Sequence, residues 1–162
     1  MVEAAREIIP DVALSSDFIV GFPGETEEDF AQTLRLLKDV RYQQSYVFKY
    51  SPRPGSTSAD WQDDVPDEVK RERNQAMLRA QEGVDLERRS AMVGRQVEVL
   101  VEGVSKQDDR HLSGRTRQND IVVFEGEPGL AGELVTLRVV DSTALTLFGE
   151  AIPAPVSDAA RP

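Results

Sequence analysis

The spacing of the apolar residues changes at Gly94, and this change limits the folds open to the chain. Before Gly94, stretches with helical spacing alternate with short β-branched runs, whereas no helical spacing recurs after it. The later part holds five short apolar runs bounded by Gly, Asn, Asp or Pro: RQVEVLVEG, HLSGRTRQ, DIVVFEG, GELVTLRVVD and ALTLFGEA. Five strands at this spacing predict a small closed β-barrel of OB-like size. We therefore expect an α/β part followed by an all-β part.

The α/β part is predicted to be a strand, a helix and a second strand. VALSSDFIV predicts a strand that ends in the rigid turn GFPGE. The helix begins after Thr26, which has Asp29 three residues later in a capping-box arrangement. QSYVFKY predicts the second strand, and the order implies parallel pairing. The turns GFPGE and SPRPGSTS therefore leave the carboxyl ends of strands, where α/β sheets bind ligands.

The remaining segments complete the predicted organisation. VEAAREII has helical spacing but no capping residue before it, so we expect the chain to begin inside an element, as a fragment does. The stretch after Trp61 predicts a long, mostly solvated connecting helix with a light apolar stripe. The predicted segments are an α/β piece at 1–62, the connecting helix at 63–93, the barrel at 94–152 and a disordered Pro/Ala-rich tail at 153–162.

Composition and charge exclude several classes of function. The net charge of −10 argues against sequence-independent attraction to nucleic acid or to an anionic membrane, although a local basic patch remains possible. No apolar run is long enough to span a membrane and no secretory signal is present, so the expected location is the cytoplasm. The absence of cysteine excludes disulfides and any zinc–thiolate or iron–sulfur site held by this chain. With one histidine, His111, we predict no metal site.

Four strings in the chain carry a resemblance to a known family. In order, SSDFIVGFPGETEEDF, YVFKYSPRPGS, VEVLVEG and LSGRTRQNDIVVFEG resemble the C-terminal half of the radical S-adenosylmethionine methylthiotransferases, most closely the tRNA-modifying MiaB branch. The resemblance runs across residues 11–150. It implies that the strand-helix-strand piece is the last part of a partial (β/α) barrel and that the five strands form a TRAM domain, an RNA-binding β-barrel.

The resemblance also implies an activity. Enzymes of this family methylthiolate C2 of N6-isopentenyladenosine at tRNA position 37, with S-adenosylmethionine and two 4Fe-4S clusters. The cysteines that hold those clusters have no counterpart here, so we assign no catalytic residue and expect the chain alone to be inactive. Its expected partners are a cluster-bearing N-terminal half and the tRNA anticodon stem-loop. The alternatives are an autonomous RNA-binding module with a non-catalytic barrel remnant, or a branch acting on a ribosomal protein or on threonylcarbamoyladenosine.

By resemblance, the first turn lines the S-adenosylmethionine pocket. Gly21 and Gly24 would let the ligand approach the main chain, and Pro23 stiffens the turn between them. Glu25 would accept a hydrogen bond from the cofactor, or would only favour the positive end of the following helix. An inward-pointing Asp17 would be a further candidate, whereas an exposed one carries little meaning. The predicted cofactor residues are Asp17, Gly21, Phe22, Pro23, Gly24 and Glu25.

Basic residues supply the remaining predicted contacts. Lys49 and Arg53 would hold the substrate phosphates or the cofactor carboxylate, because Pro52 and Pro54 fix the loop; the alternative is a pair of solvated loop charges. Residues 105–117 carry four cations against two carboxylates, a local balance of +2, and predict an RNA contact unless they are ordinary loop charges. That predicted contact comprises Lys106, Arg110, His111, Arg115, Thr116, Arg117 and Asn119. Trp61 is predicted to be a packing residue at the domain junction, and Phe124 and Phe148 are predicted to be core residues because each lies in an apolar strand run.

Overall fold

The computed structural model describes residues 1–106 and 108–152, so the tail predicted at 153–162 lies outside the described residues. The helices are α1 (Val2–Ile8), α2 (Glu27–Val40) and α3 (Asp67–Ser90). The strands are β1 (Ser15–Val20), β2 (Gln44–Lys49), β3 (Gln96–Val104), β4 (His111–Thr116), β5 (Ile121–Glu125), β6 (Leu134–Ser142) and β7 (Thr146–Ala151). Two compact units divide between Glu87 and Arg88. Across both described ranges, no helix combines the length and apolarity needed to cross a membrane.

The first unit is built on a two-stranded sheet. β1 and β2 pair in parallel, as the strand-helix-strand pattern predicted. One face buries Phe18 and Val20 against Leu37 of α2 and Met77 of α3. The opposite face is open to solvent within this chain and carries Asp17, Ile19, Tyr46 and Phe48. Sheets of parallel strands are normally covered on both faces, but this unit covers only one face of its sheet.

The predicted capping box at the start of α2 is confirmed. The Asp29 N–H donates to the Thr26 hydroxyl at 3.2 Å, and the Thr26 N–H donates to the Asp29 carboxylate at 2.9 Å. Hydrogen bonds from the Thr26 side chain, and then from its main chain, lower the pKa of Asp29. The helix ends at Arg41, which has a left-handed φ of 55° and donates its N–H to the Leu37 carbonyl. Local sequence therefore sets both ends of this helix.

The buried face of α3 differs from the lightly apolar stripe that the sequence predicted. Met77 and Val84 of the apolar stripe are buried, but three polar residues are buried on the same face: Lys70, Arg73 and Gln81. Each has hydrogen-bond partners within the first unit, as buried polar groups require: Lys70 contacts the nearby Asp63, and the other two contact residues far away in sequence. Gln81, for example, donates to the Tyr42 carbonyl at 3.0 Å and accepts from Ser45 at 2.7 Å. The helix that was predicted to be mostly solvated therefore has a buried face, and that face includes polar residues.

The second unit contains the predicted five-stranded barrel. Its strands close in the order β3-β4-β5-β7-β6, and β5 and β7 are the parallel neighbours. The ladder shifts register between Val101 and Gly103 and between Val139 and Asp141, and such bulges bend strands in small barrels. The core consists of Val99, Val101, Leu112, Val122, Phe124, Leu137, Val139 and Leu147. Closure leaves no strand edge open among the five.

Gly114 allows β3 and β4 to approach closely. A Cβ atom at this position would lie 2.4 Å from the Leu100 carbonyl oxygen and 2.6 Å from Val99 Cγ1. Both distances are far below van der Waals contact, and the first involves main chain that cannot rotate away. A side chain at position 114 therefore forces the two strands apart.

We predict that Gly114→Ala destabilises the barrel by about 2 kcal/mol, the usual cost of overpacking a well-packed interior. Urea unfolding followed through the NMR amide signals of β3 and β4 measures the change. Gly129→Ala is the control, because nothing lies within 4 Å of an added Cβ there, and it should shift stability by less than about 0.5 kcal/mol. Equal stability of the two variants would contradict the close-approach explanation.

Candidate functional site

Hydrogen bonds from its main-chain N–H groups hold the turn after β1 in place. Gly21 and Gly24 have left-handed φ angles of 72° and 82°, which glycine adopts without strain. The Gly21 N–H donates to the Glu25 carboxylate at 2.6 Å, and the Gly24 N–H donates to Asp64 at 2.8 Å. The Glu25 N–H closes the turn on the Phe22 carbonyl at 2.9 Å. Three of the turn's main-chain donors are thus satisfied within the protein.

A buried ion pair fastens this turn to α3. Arg73 and Glu25 are 2.6 Å apart, with side chains only 6% and 9% exposed. Arg73 also donates to the Glu25 carbonyl at 3.1 Å and to the Glu27 carboxylate. Burial alone would lower the pKa of Arg73, but the hydrogen bonds to Glu27 and Glu25 outweigh it and raise the pKa. Glu25 therefore anchors the turn to α3, a role that its position in the sequence did not indicate.

Lys70 explains why position 21 is glycine. A Cβ atom on Gly21 would lie 2.3 Å from Lys70 Cγ, so the lysine stem fills the space beside Gly21 that a ligand was predicted to approach. The Lys70 ammonium donates to both Asp63 carboxylate oxygens at 2.6 Å and lies 5.4 Å from the Tyr50 ring centre. Gly24 differs, because nothing lies within 4 Å of an added Cβ there. A ligand therefore has room beside Gly24 but not beside Gly21.

Aromatic rings join the two turns that follow β1 and β2. The Phe22 ring packs edge-on against Tyr50 and Trp61, with ring centres 5.0 and 5.6 Å away. The Tyr50 hydroxyl donates to the Ser58 carbonyl at 2.7 Å. Trp61 thus packs against the first turn while half of its surface remains exposed. The structure brings GFPGE and the end of SPRPGSTS together, as parallel strand ends require.

The other predicted residues of the first unit are exposed. Asp17 points to the open face of the sheet, opposite the core, so within this chain it is not the buried carboxylate considered above. Lys49 is the last residue of β2, and Arg53 lies in the turn that follows. Neither side chain has an ion-pair partner among the described residues. Their role toward a ligand remains a prediction.

The predicted RNA-binding arginines of the barrel are all ion-paired. Arg110 contacts Asp108, Arg115 contacts Glu102, and Arg117 contacts Glu98, each at 3.1 Å. His111 Nδ1 also lies 3.1 Å from Asp108. Hydrogen bonds from the Arg110 side chain and main chain lower the pKa of Asp108 to about 2, and the same carboxylate raises the pKa of Arg110. Glu98 and Glu102 of β3 lie outside residues 105–117 in the sequence, but they pair with Arg117 and Arg115 and so offset the local charge of +2.

Thr116 and Asn119 shape the β4–β5 turn. Thr116 is 7% exposed, and its hydroxyl accepts from the Asp120 N–H at 3.1 Å, so it offers RNA almost no surface. Asn119 has a left-handed φ of 69°, and its side-chain oxygen accepts from Arg115 at 3.0 Å. Asp120 itself is buried and receives two hydrogen bonds from Arg88, at 2.7 and 3.1 Å. These residues stabilise the turn rather than extend from it.

A groove of about 690 Å³ crosses the outside of the barrel. Its apolar floor includes Ile121, Val123 and Phe148, and polar groups surround them. The core prediction is confirmed for Phe124, which is 2% exposed, and wrong for Phe148, which is half-buried in this groove. Strict alternation in β7 would have shown this, because the neighbouring Leu147 is in the core.

Comparison with known proteins agrees with this architecture. A family model described as TRAM domain matches residues 90–152. The tRNA-2-methylthio-N(6)-dimethylallyladenosine synthase of Acetivibrio thermocellus is 47% identical over 94% of this chain and 32% of its own length. The synthases of the same name from Desulfitobacterium hafniense and Porphyromonas gingivalis are 48% and 44% identical over 90% and 97% of the chain. The chain spans about a third of the length of these curated relatives, and the resemblance described above is confirmed.

We predict that Arg73→Met lowers the free energy of unfolding of the first unit by about 3 kcal/mol, because it leaves the buried Glu25 carboxylate without its cation. Adding Glu25→Gln should restore part of the loss. Urea unfolding monitored by the fluorescence of the chain's single tryptophan, Trp61, measures both. Arg71→Met is the control, since its pair with Glu68 is exposed and contributes under about 0.5 kcal/mol. Similar losses at positions 71 and 73 would contradict the anchoring role.

We also predict that the Asp108 carboxyl titrates with a midpoint of about 2, below its ordinary 3.8. A lowered native pKa favours folding above 3.8, and this contribution is lost as the pH falls from 3.8 through about 2. NMR titration of the carboxyl carbon measures the midpoint. Arg110→Ala should move it toward 3.8, whereas Arg117→Ala, which removes the partner of Glu98, should leave it unchanged. A midpoint near 2 in Arg110→Ala would show that Arg110 is not the cause.

Proposed function

We propose that this chain, a relative of the tRNA-2-methylthio-N(6)-dimethylallyladenosine synthases with a TRAM domain at residues 90–152, is the C-terminal part of such an enzyme. The enzyme would methylthiolate C2 of N6-isopentenyladenosine at tRNA position 37. One observation carries the proposal: identity of 47% extends over 94% of the chain, so it includes the parallel sheet with its turn as well as the barrel. A barrel on its own would support only RNA binding.

S-adenosylmethionine fits the first unit in part. The main chain at Gly24 borders open space, and the exposed ring of Trp61 and the carboxylate of Asp17 lie on this unit. We propose that residues 22–24 contact the cofactor, while Glu25, held by Gly21 and Arg73, keeps the turn in shape. When bound, the cofactor would supply the radical and methyl chemistry of the family. The two iron–sulfur clusters do not fit this chain, which has no cysteine, and their ligands would come from the N-terminal half.

The barrel would bind the tRNA anticodon stem-loop. Its paired arginines are exposed, so phosphate oxygens can replace the carboxylates with modest loss, because exposed ion pairs contribute little. Lys49 and Arg53 stand at the carboxyl end of β2 and would approach the substrate phosphates from the first unit. We place the enzyme in the cytoplasm, where tRNA is modified.

A second candidate is an RNA-binding module without chemistry. The closed barrel favours it, because its core of eight buried residues is complete within the second unit. In that case the parallel sheet would be a remnant that binds no cofactor. The two candidates differ in whether loss of the gene changes the modification state of tRNA.

We predict that deleting the gene removes the 2-methylthio group from position 37 and leaves N6-isopentenyladenosine, because only the sulfur and methyl addition depends on this enzyme. Mass spectrometry of tRNA nucleosides from the source cells measures both. Restoring the intact gene should restore the group, whereas Gly24→Val should restore less than about a tenth of it. A full complement of 2-methylthio groups in the deletion strain would refute the enzymatic proposal.

Gly94→Val is the matched control for this experiment. Gly94 has a φ of 85° and no atom within 4 Å of an added Cβ, so a side chain there causes the same backbone strain of about 1–2 kcal/mol as at Gly24. It lies outside the candidate cofactor turn. Equal failure of both variants would mean that strain, rather than lost cofactor contact, explains the result at Gly24.

A further inference from the structure

Three neighbouring strands place an aromatic ring in the centre of the barrel groove. Ser113 of β4, Val123 of β5 and Phe148 of β7 are register partners across the ladder. Arg115, Ile121 and Thr146 form the next row in the same way. Register partners lie side by side on one face of a sheet, with side chains about 5 Å apart. The Phe148 ring is therefore next to Val123, and Ile121 lies diagonally across from it.

The interior of the barrel does not need this ring. Leu147 and Val122, the neighbours of Phe148 and Val123 along their strands, point inward and are fully buried. Phe148 instead lines the groove, where Ile121 and Leu145 are both partly exposed. Single exposed apolar residues are ordinary, but here Phe148, Ile121 and Leu145 line one groove of about 690 Å³ together. The groove volume falls in the usual range for small ligands.

The charges around the floor favour a neutral, flat group over a phosphate. Arg115 is paired with Glu102, and Asp108 contacts both Arg110 and His111. A phosphate inside the groove would meet Lys106 but also the Glu102 and Asp108 carboxylates, which line the groove too, so the exposed arginines would hold phosphates outside it. A nucleobase has no charge, can stack on an aromatic ring, and has edges that match the hydroxyls of Ser113 and Thr146.

We infer that this groove binds one unpaired base of single-stranded RNA, stacked on Phe148, with the phosphates outside the groove. The inference rests on the proposed RNA-binding function and specifies how it is achieved. Binding would depend on stacking more than on charge, which suits a chain with a net charge of −10. The stacking contribution would weaken only slightly with added salt, whereas the contribution of arginine–phosphate contacts outside the groove would fall.

The test uses the full chain and a single-stranded RNA heptamer with 2-aminopurine at its centre. Quenching of the 2-aminopurine fluorescence reports stacking, and fluorescence anisotropy of an end label gives the Kd. Phe148→Ala should weaken binding about tenfold and abolish the quenching, whereas Phe148→Trp should retain both. Leu134→Ala is the matched control, because Leu134 is 62% exposed on β6 and does not line the groove. It should leave the Kd and the quenching unchanged.

The outcomes separate the base site from RNA binding in general. An RNA with an abasic centre that binds as tightly as the 2-aminopurine RNA would overturn the base site. Undiminished binding by a folded Phe148→Ala variant would also overturn it, and that result is expected if the groove seats another protein chain instead. Failure of the unaltered chain to bind any RNA would overturn both the base site and the RNA-binding function.

Discussion

The buried ion pair between Glu25 and Arg73 is the interaction on which the first unit depends. It joins a turn with two left-handed glycines to a helix that comes much later in the sequence, and it does so where water has almost no access. Arg73 also reaches Glu27, in the first turn of α2. One guanidinium thus fixes the end of β1 and the start of α2 relative to α3. Removing one partner of such a pair strongly destabilises the fold, because the other charge remains buried without a counterion.

The barrel uses its charges in a different way. Arg88 pairs with the buried Asp120, but Arg115 and Arg117 pair with carboxylates at the surface, where water and salt weaken the attraction. Such pairs are easily exchanged and do not hold the fold together, which is the work of the apolar core. The first unit therefore uses a buried ion pair to build a rigid turn, while the ion pairs beside the apolar groove of the second unit are exposed and exchangeable. Both arrangements occur in a chain with an excess of acidic residues.

Local patterns were enough to predict the elements of the fold. The capping box at Thr26, the parallel strand pair and the five barrel strands all follow from residues close together in sequence. The buried side of α3 did not, because Arg73 and Glu25 are 48 residues apart and a charged residue on a helix usually faces water. The pairing of Arg115 with Glu102 and of Arg117 with Glu98 also needed the strand register. Phe148 was misassigned because an apolar run suggested a core strand, although alternation would have placed it outside.

The strand order of the barrel determines when its groove can form. β7 lies between β5 and β6, so these two strands remain separate, each with an open edge, until the last strand is inserted. During synthesis the ribosome releases β3 to β6 first, and this partial sheet cannot close. Phe148 belongs to β7, so the inserted strand brings the ring that completes the groove. A partly folded barrel therefore lacks the groove, and the proposed RNA-binding surface forms only when folding is complete.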